Sequence, residues 1–357
     1  MAGVFRFSNA VSDISKFIQT YRAIYKHFYP LTQQGHYFDH KEASEFLATS
    51  GLASSLGAIG QAAVIRSRRP DTSRDPLYNQ HKMYSEVYRM LGWYEPGSKK
   101  TNFNLPEFGY YIAEADSVVE KKLFALNALH IVSPNPLTSV RGGNILRPFP
   151  MILKMMGALG GFITRDEMIL TVLACPDDKD TSYVATAANR IRRIRQAGLP
   201  TLHAEIENLK NSVGINSDDA LPNYTRFPIA AMKWTGWAQG VSTKTLYNGR
   251  SVTALQITPD GQSILQRINR AIDIRFGDLS GYSFDEQAAF SIWSNLYQLG
   301  KVGFSTVEYA PIISQLESFA APIFTDLNVK SYPDMLFFGY QEAPRDVLER
   351  GNLLIGE

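Results

Sequence analysis

Apolar residues recur at helical spacing along most of this chain, and short stretches in which apolar and polar residues alternate are few. The clearest helix is predicted from Pro148 to Leu159, and a Gly160-Gly161 turn follows it. A second helix is predicted from Thr164 to Ala174, and residues 181–197 and 200–214 predict two more. The pattern therefore indicates a mainly α-helical protein with little β-structure.

One order of elements occurs twice along the chain. In the first copy, a helix over residues 83–91 leads through Gly92-Trp93 to a turn at Pro96-Gly97 and a polar strand that reaches Asn104. Another helix opens within residues 105–109. The segment thus has the order helix, glycine–tryptophan, β-ribbon and helix. This is the order of elements in the second half of a winged helix, so the segment predicts a winged helix.

The second copy has a clearer ribbon. A helix over residues 227–234 leads through Gly236-Trp237 to a hairpin with an Asn248-Gly249 turn, the strongest short hairpin signal in a sequence. Thr258-Pro259 opens a helix that is predicted to reach about Ile272, because proline fits the start of a helix, where no backbone donor is needed. The copies share order and spacing rather than identity, which predicts a structural repeat.

Each winged helix should begin with a helix-turn-helix, and three places predict the start of its second helix. Each place has an apolar residue, a capping residue and a glutamate three positions after the cap, which is the pattern of a capping box. They are Phe38-Asp39-x-x-Glu42, Ile163-Thr164-x-x-Glu167 and Phe304-Ser305-x-x-Glu308. Two of them precede a helix–ribbon unit, so we expect two complete modules and a third that is truncated or divergent.

The predicted fold is mainly α with small β-wings, arranged as tandem winged-helix (helix-turn-helix) modules. Residues 1–130 are predicted to form an N-terminal winged-helix DNA-recognition module, and residues 131–272 a second such module with inserted helices. Residues 273–357 are predicted to form an acidic third helix-turn-helix-like or linker module. A chain of 357 residues is long enough for two or three such units.

The charge distribution divides the chain at residue 272. Residues 1–272 contain 31 Lys and Arg against 22 Asp and Glu, a net charge of +9, whereas residues 273–357 contain 5 against 12, a net charge of −7. A polyanion would be attracted to the first part and repelled by the second. Nucleic acid, a membrane surface and an acidic protein all fit this charge, and the winged-helix pattern favours duplex DNA.

The third helix of a winged helix enters the major groove, and its wing contacts phosphates or the minor groove. In the first module this helix is predicted to start near Asp75. Asn and Gln suit adenine, and Lys suits guanine or phosphate. The predicted contacts are Tyr78, Asn79, Gln80, His81 and Lys82 on the helix, Arg66, Arg68, Arg69 and Arg74 in the preceding loop, and Lys99, Lys100, Asn102 and Asn104 on the wing.

The second module is predicted to bind DNA in the same way. Its predicted contacts are Asn223, Tyr224, Thr225, Arg226 and Lys233 on the recognition helix, and Lys244, Asn248 and Arg250 on the wing. Four more basic residues lie on one inserted helix: Arg190, Arg192, Arg193 and Arg195. At helical spacing they spread around the helix, so some must pair with internal carboxylates, and phosphate binding by the others is left open.

Other chemistries do not assemble from the sequence. The single cysteine, Cys175, excludes an internal disulfide and a cysteine-rich zinc site, and it fits a reducing cytoplasm. His36 and His40 lie four residues apart, but a solvated turn explains them better than a metal site. Pro333-Asp334 resembles the first strand of a metal-dependent nuclease centre, yet Lys330 is the last lysine, so none follows it. We therefore predict no catalytic residue and no metal ligand.

The segment Asn-Ile-Leu-Arg-Pro-Phe-Pro-Met-Ile-Leu-Lys-Met-Met at residues 144–156, continued by Gly-Phe-Ile-Thr-Arg-Asp-Glu at residues 161–167, resembles the middle of the recognition region in AlwI-like and BpuJI-like type II restriction endonucleases. The Ile-Thr-Pro-Asp-Gly segment at residues 257–261 is similar too. By pattern the resemblance covers residues 35–272. It implies two or three winged-helix subdomains that read an asymmetric DNA site, and a separate C-terminal nuclease that cuts nearby with Mg²⁺.

The expected C-terminal nuclease is missing or unrecognisable in this sequence. The resemblance therefore implies the target-recognition part of a type IIS restriction endonuclease, whose partner is a specific double-stranded DNA site. Mg²⁺ is expected only if a nuclease domain or subunit is attached, and no cofactor is expected in this chain. The alternatives are a non-enzymatic winged-helix DNA binder, such as a plasmid replication initiator or transcription regulator, and a helical protein-interaction scaffold.

Neither a membrane span nor a signal peptide is predicted. Residues 46–65 are uncharged, but they contain polar side chains and three glycines, and Leu and Ile are few. The first residues carry scattered charges rather than the pattern of a signal peptide. We expect a cytoplasmic prokaryotic protein.

Overall fold

A computed structural model describes residues 3–8, 11–55, 57–67, 75–97, 101–106, 108–138, 143–335 and 338–356. These residues are mainly helical, and they include two antiparallel sheets of three short strands each. The prediction of a mainly α protein with small β-elements is therefore confirmed. No described helix combines the length and the apolar character needed to cross a membrane.

The first sheet unit comprises residues 14–129. Its elements are α1 (Ile14–Thr32), β1 (Phe38–Asp39), α2 (His40–Thr49), α3 (Gln61–Ser67), α4 (Pro76–Met90), β2 (Glu95–Pro96), β3 (Asn102–Asn104), α5 (Phe108–Glu114) and α6 (Ser117–Leu129). The strands lie in the order β1-β3-β2. The short strand after α1 therefore pairs with the last strand of the ribbon, and Phe38 lies opposite Phe103.

The second sheet unit comprises residues 148–268. Its elements are α7 (Pro148–Ala158), β4 (Phe162–Thr164), α8 (Arg165–Met168) with a π-helical continuation (Ile169–Leu173), α9 (Tyr183–Ala197), α10 (Leu199–Val213), α11 (Ala220–Tyr224), α12 (Arg226–Trp234), β5 (Ala238–Tyr247), β6 (Arg250–Ile257) and α13 (Pro259–Ile268). The strands lie in the order β4-β6-β5. Both sheet units thus have the same element order and the same strand order, apart from the helices inserted before α12.

Two of the predicted capping boxes are present, one in each sheet unit. The Asp39 carboxylate accepts the amides of Lys41 and Glu42, while the Glu42 carboxylate accepts the Asp39 amide. Thr164 and Glu167 make the corresponding reciprocal pair at the start of α8. These bonds satisfy amides that have no partner within a helix, so they fix where α2 and α8 begin.

The turn and helix start predicted for the second ribbon are also confirmed. Asn248 and Gly249 adopt φ values of 48° and 80°, the left-handed conformation that a two-residue hairpin turn requires. Thr258 accepts the amide of Gly261 and caps α13, which ends at Ile268, slightly earlier than predicted.

The two sheet units share one hydrophobic core, which also takes in the N-terminal segment. The ring of Phe7 contacts those of Phe149 and Phe227 at centroid distances of 5.9 and 5.2 Å. The amide of Phe5 donates to the carbonyl of Leu173 at 2.8 Å. The predicted units 1–130 and 131–272 are therefore consecutive in sequence but packed together in space.

The C-terminal unit, residues 273–356, has a second core of its own. Its helices are α14 (Phe284–Lys301), α15 (Ala310–Phe319), α16 (Ala321–Asp326) and α17 (Arg345–Gly356). The capping box predicted at Ser305 and Glu308 is wrong. Thr306 caps a 3₁₀ turn there without a side-chain bond, and α15 starts only at Ala310, so Ser305 has no helix to cap.

A buried ion network joins the C-terminal unit to the second sheet unit. Arg147, at the N-terminus of α7, lies 3.2 Å from Asp273 and 2.5 Å from Glu342. Arg275 lies 2.6 Å from Asp178 in the same network. Burial raises the pKa of Glu342 to about 7, although the charge of Arg147 opposes that shift. The arginine of the Arg-Pro-Phe-Pro segment therefore has a structural role at this junction.

Candidate nucleic-acid interface

In the first sheet unit, α4 is the helix that precedes the ribbon. Asp75 caps it by accepting the amide of Tyr78 at 3.0 Å, so the helix starts where it was predicted. Lys82 is exposed, and Tyr78, Asn79 and Gln80 are half-buried. These four side chains share the N-terminal half of α4, which is the part of a recognition helix that reaches base edges.

His81 cannot belong to this surface, because its side chain is fully buried. Its Nδ1 lies 3.0 Å from Nδ1 of His40, and its Nε2 lies 3.2 Å from the hydroxyl of Tyr94. The prediction that His81 contacts DNA is therefore wrong. The prediction of a solvated turn is also wrong for His40, which is 8% exposed, whereas His36 is exposed and bonds Glu42.

The histidine pair joins α2 to α4 and is uncharged. In this hydrogen bond one imidazole donates from Nδ1 and the other accepts at Nδ1, so only one of the two Nδ1 atoms carries a proton. Burial, with Arg89 nearby, lowers the pKa of His40 to about 4. Burial and the neighbouring His40 lower the pKa of His81 as well. The position of α4 against α2 therefore depends on the hydrogen bond between these two rings.

The loop and wing predictions for the first sheet unit fall partly on described residues. Arg66 is exposed in the last turn of α3. Asn102 is half-buried on β3 opposite Asp39, and Asn104 donates to Glu95 at 3.3 Å. The other predicted contacts lie outside the described residues: Arg68, Arg69, Arg74, Lys99 and Lys100.

In the second sheet unit the helix predicted over residues 227–234 is present as α12, but the predicted contacts begin on a separate helix, α11, that precedes it. Asn223 and Tyr224 are half-buried at the end of α11, and Arg226 begins α12. Thr225, between the helices, is fully buried and donates to the carbonyl of Pro222 at 2.7 Å. The structure removes Thr225 from the predicted interface, while Arg226 remains exposed.

Lys233, near the end of α12, lies in a groove of about 520 Å³. Arg165 and His203 line the same groove from α8 and α10, and all three side chains are exposed. The sequence analysis missed Arg165 and His203, although Arg165 stands inside the Thr164 capping box. Asp166 lines the groove as well and pairs with Arg165 at 3.1 Å, so Lys233 is the lysine that the groove offers to an anionic backbone.

The β5–β6 ribbon carries the predicted wing residues on its surface. Lys244, Asn248 and Arg250 are exposed. The side-chain amide of Asn248 donates to the carbonyl of Gln196 at 3.2 Å, which attaches the tip of the ribbon to the end of α9. The tip of the β5–β6 ribbon is therefore attached to the inserted helix α9.

A single buried carboxylate organises that attachment. Glu167 is fully buried and accepts Nε and Nη2 of Arg195 at 2.6 and 2.9 Å. It also accepts the hydroxyl of Tyr247 at 2.6 Å. Burial and this carboxylate raise the pKa of the Tyr247 phenol. Arg195 therefore pairs with an internal carboxylate, as expected for part of the arginine set.

The nuclease-like segment has another role in the structure. Asp334 pairs with Arg267 at 2.8 Å, which lowers the pKa of its carboxyl, and its carbonyl accepts the amide of Ile272. Within the described ranges, no cluster of three or more His, Cys, Asp or Glu side chains has metal-binding geometry. Asp334 thus links the C-terminal unit to α13.

No protein-family model matches the chain, and no curated protein matches it.

Proposed function

We propose that this chain recognises a specific site on double-stranded DNA through two winged-helix modules. The observation that carries the proposal is the repeated arrangement β1-β3-β2 and β4-β6-β5, each with a helix immediately before its ribbon. A winged helix places that helix in the major groove and the ribbon beside it. In this chain these elements are α4 with the β2–β3 ribbon, and α12 with the β5–β6 ribbon.

The exposed chemistry of both helices supports DNA reading. Lys82 on α4 and Lys233 on α12 are exposed, and amide side chains accompany Lys82 on the same half of α4. Residues 1–272, which contain both sheet units, carry a net charge of +9. Phosphate contacts would supply most of the affinity, and the amide and lysine side chains would distinguish base edges.

The biological setting we propose is target recognition within a type II restriction endonuclease. This part of the proposal rests on the resemblance at residues 144–167. A separate nuclease domain or subunit would then supply Mg²⁺-dependent cleavage. A non-enzymatic DNA binder would have the same reading helices and would lack only the nuclease domain or subunit.

Selection from random duplexes by mobility shift tests the reading function. We expect one short motif to be enriched, and Lys82→Ala and Lys233→Ala each to relax the preference at different positions of that motif. Lys330→Ala, in the C-terminal unit, is the control and should leave the motif unchanged. Binding without any enriched motif would refute sequence-specific reading.

Cleavage tests the setting separately. We expect the product of the intact gene to cut plasmid DNA beside the selected motif when Mg²⁺ is added. Sequence-specific binding without cleavage by that product would support the non-enzymatic alternative and leave the reading function in place.

A further inference from the structure

The sequence stretches that contain the inserted helix α9 and the β5–β6 ribbon lack acidic residues. Residues 181–204 contain four arginines and no Asp or Glu, and residues 220–259 contain four Lys and Arg and again no Asp or Glu. The bond from Asn248 to the carbonyl of Gln196 brings these two stretches together. The cations on these two stretches that have no acidic partner can attract anions.

The arginines of α9 differ in what they contact. Arg195 pairs with Glu167, Arg190 pairs with Glu205 on α10, and Arg192 donates to the carbonyl of Ala158 on α7. Arg193 is exposed and makes no ion pair or side-chain hydrogen bond with the rest of the described chain. It projects from the side of α9 opposite the buried Ile191.

The ribbon contributes two similar cations. Lys244 and Arg250 are exposed, and within the part of the chain that the structure describes neither side chain has an ionic partner. Small hydroxyl side chains lie on the same ribbon, including Ser242 and Ser251, whose oxygens are 2.8 Å apart. Hydroxyl groups and arginine are common phosphate contacts in protein–DNA complexes.

We propose that this helix–hairpin surface, made of Asn189, Arg193 and Gln196 on α9 with Lys244 and Arg250 on the ribbon, binds the phosphate backbone of the DNA whose bases α12 reads. The inference rests on the proposed function and extends it to inserted helices that a minimal winged helix does not have. The Glu167 contacts keep α9 and the ribbon together, so the cations are held in place before DNA arrives.

Salt dependence of binding separates phosphate contacts from base contacts. The measurement is fluorescence anisotropy of a 5′-labelled duplex carrying the selected motif, titrated at several KCl concentrations. Each phosphate contact adds about 0.9 to the slope of log affinity against log salt. We expect the Arg193→Ala/Arg250→Ala variant to reduce that slope by about 2, to weaken binding about tenfold at physiological salt, and to keep the same motif.

The matched control is Arg190→Ala/Arg345→Ala, which removes the same charge from side chains that are paired with Glu205 and Glu349. We expect its slope to stay within about 0.5 of wild type. A second variant, Asn189→Glu, adds a carboxylate to the exposed face of α9 and should weaken binding without loss of folding. Thermal melts of all variants check that the fold is intact.

The outcomes distinguish this inference from the proposed function. A reduced slope in the first variant alone supports the surface. An unchanged slope, or equal losses in the control, overturns the surface while DNA reading stands. If wild-type protein shows no motif-dependent binding at all, the proposed function fails, and the surface loses its partner with it.

Discussion

In the first sheet unit two imidazoles, His40 and His81, join α2 to α4. In the second sheet unit a charged group, Glu167, lies at the start of the second helix and binds Arg195 and Tyr247. Both contacts are buried and close to a capping box. The two sheet units therefore have the same strand order but different buried polar contacts, a histidine pair in the first and a carboxylate in the second. We expect the first unit to be sensitive to acid and the second to loss of the carboxylate charge.

The largest effect is expected from Glu167→Gln. The substitution leaves the guanidinium of Arg195, whose side chain is 13% exposed, beside an uncharged amide. Loss of one partner of a buried ion pair costs about 3–5 kcal/mol. Urea unfolding followed by tryptophan fluorescence measures the change in the free energy of unfolding. A loss of less than 1 kcal/mol would show that the ion pair does not hold the second sheet unit together.

Acidification should weaken the first sheet unit selectively. The pKa of His40 is lowered from 6.5 to about 4, so the unfolded chain takes up the proton first. The stability that the neutral His40 contributes to the folded state is complete above pH 6.5 and decreases as the pH falls towards 4. Linkage gives a loss of roughly 2 kcal/mol between pH 7 and pH 5.

Hydrogen exchange, corrected for the pH dependence of the chemistry itself, locates this acid effect. Amides of α2 and α4 should lose protection at pH 5, while those of β5 and β6 should not. Helix α7 is not used as the control, because burial and Arg147, at the start of α7, lower the pKa of His130 as well. His40→Phe should reduce the dependence on pH. Equal loss of protection in β6 would contradict the assignment of the effect to the histidine pair.

Tyr247→Phe should have an intermediate effect on the second sheet unit. It removes one donor to the buried Glu167 carboxylate but leaves the Arg195 ion pair in place. A hydrogen bond to a charged group is worth about 1.5 kcal/mol at the low end of its range. The free energy of unfolding of this variant, compared with Tyr110→Phe at an exposed tyrosine, measures that bond.

The smallest effect is expected from Glu42→Gln. Glu42 holds the same capping-box position as Glu167, but its side chain is 43% exposed. Glutamine can still accept the Asp39 amide, so the loss is limited to the carboxylate charge, which faces the helix start and the exposed His36, about 0.5 kcal/mol. If Glu42→Gln and Glu167→Gln cost the same in urea unfolding, burial does not explain the contrast between the units.

Much of the local structure could be predicted from the sequence because it depends on neighbouring residues. Asn248-Gly249 and Thr164-x-x-Glu167 specify a turn and a helix start within four residues. The partners of Glu167 could not be found in this way, since Arg195 and Tyr247 lie 28 and 80 positions away.

The candidate interface was harder to predict than the elements that carry it. Exposure of a polar side chain depends on which other elements of the fold cover it, and a local sequence pattern does not contain that information. The sequence therefore predicts His81 and Thr225 as surface residues, whereas both are buried. Ser305 has the local pattern of a cap, but the helix that would need it starts later, at Ala310. The winged-helix arrangement, the DNA partner and the endonuclease setting stay predictions.

The position of Phe5 and Phe7 has a consequence for exchanging parts of this protein. These residues precede the first sheet unit in the chain, yet Phe7 covers Phe149 and Phe227 of the second. A fragment or chimera cut near residue 130 would leave those rings facing water, with the aggregation that exposed apolar surface brings. A transplantable second unit would therefore need replacements for Phe7 and also for Phe17 and Phe124 of the first sheet unit, whose rings contact Phe227 as well.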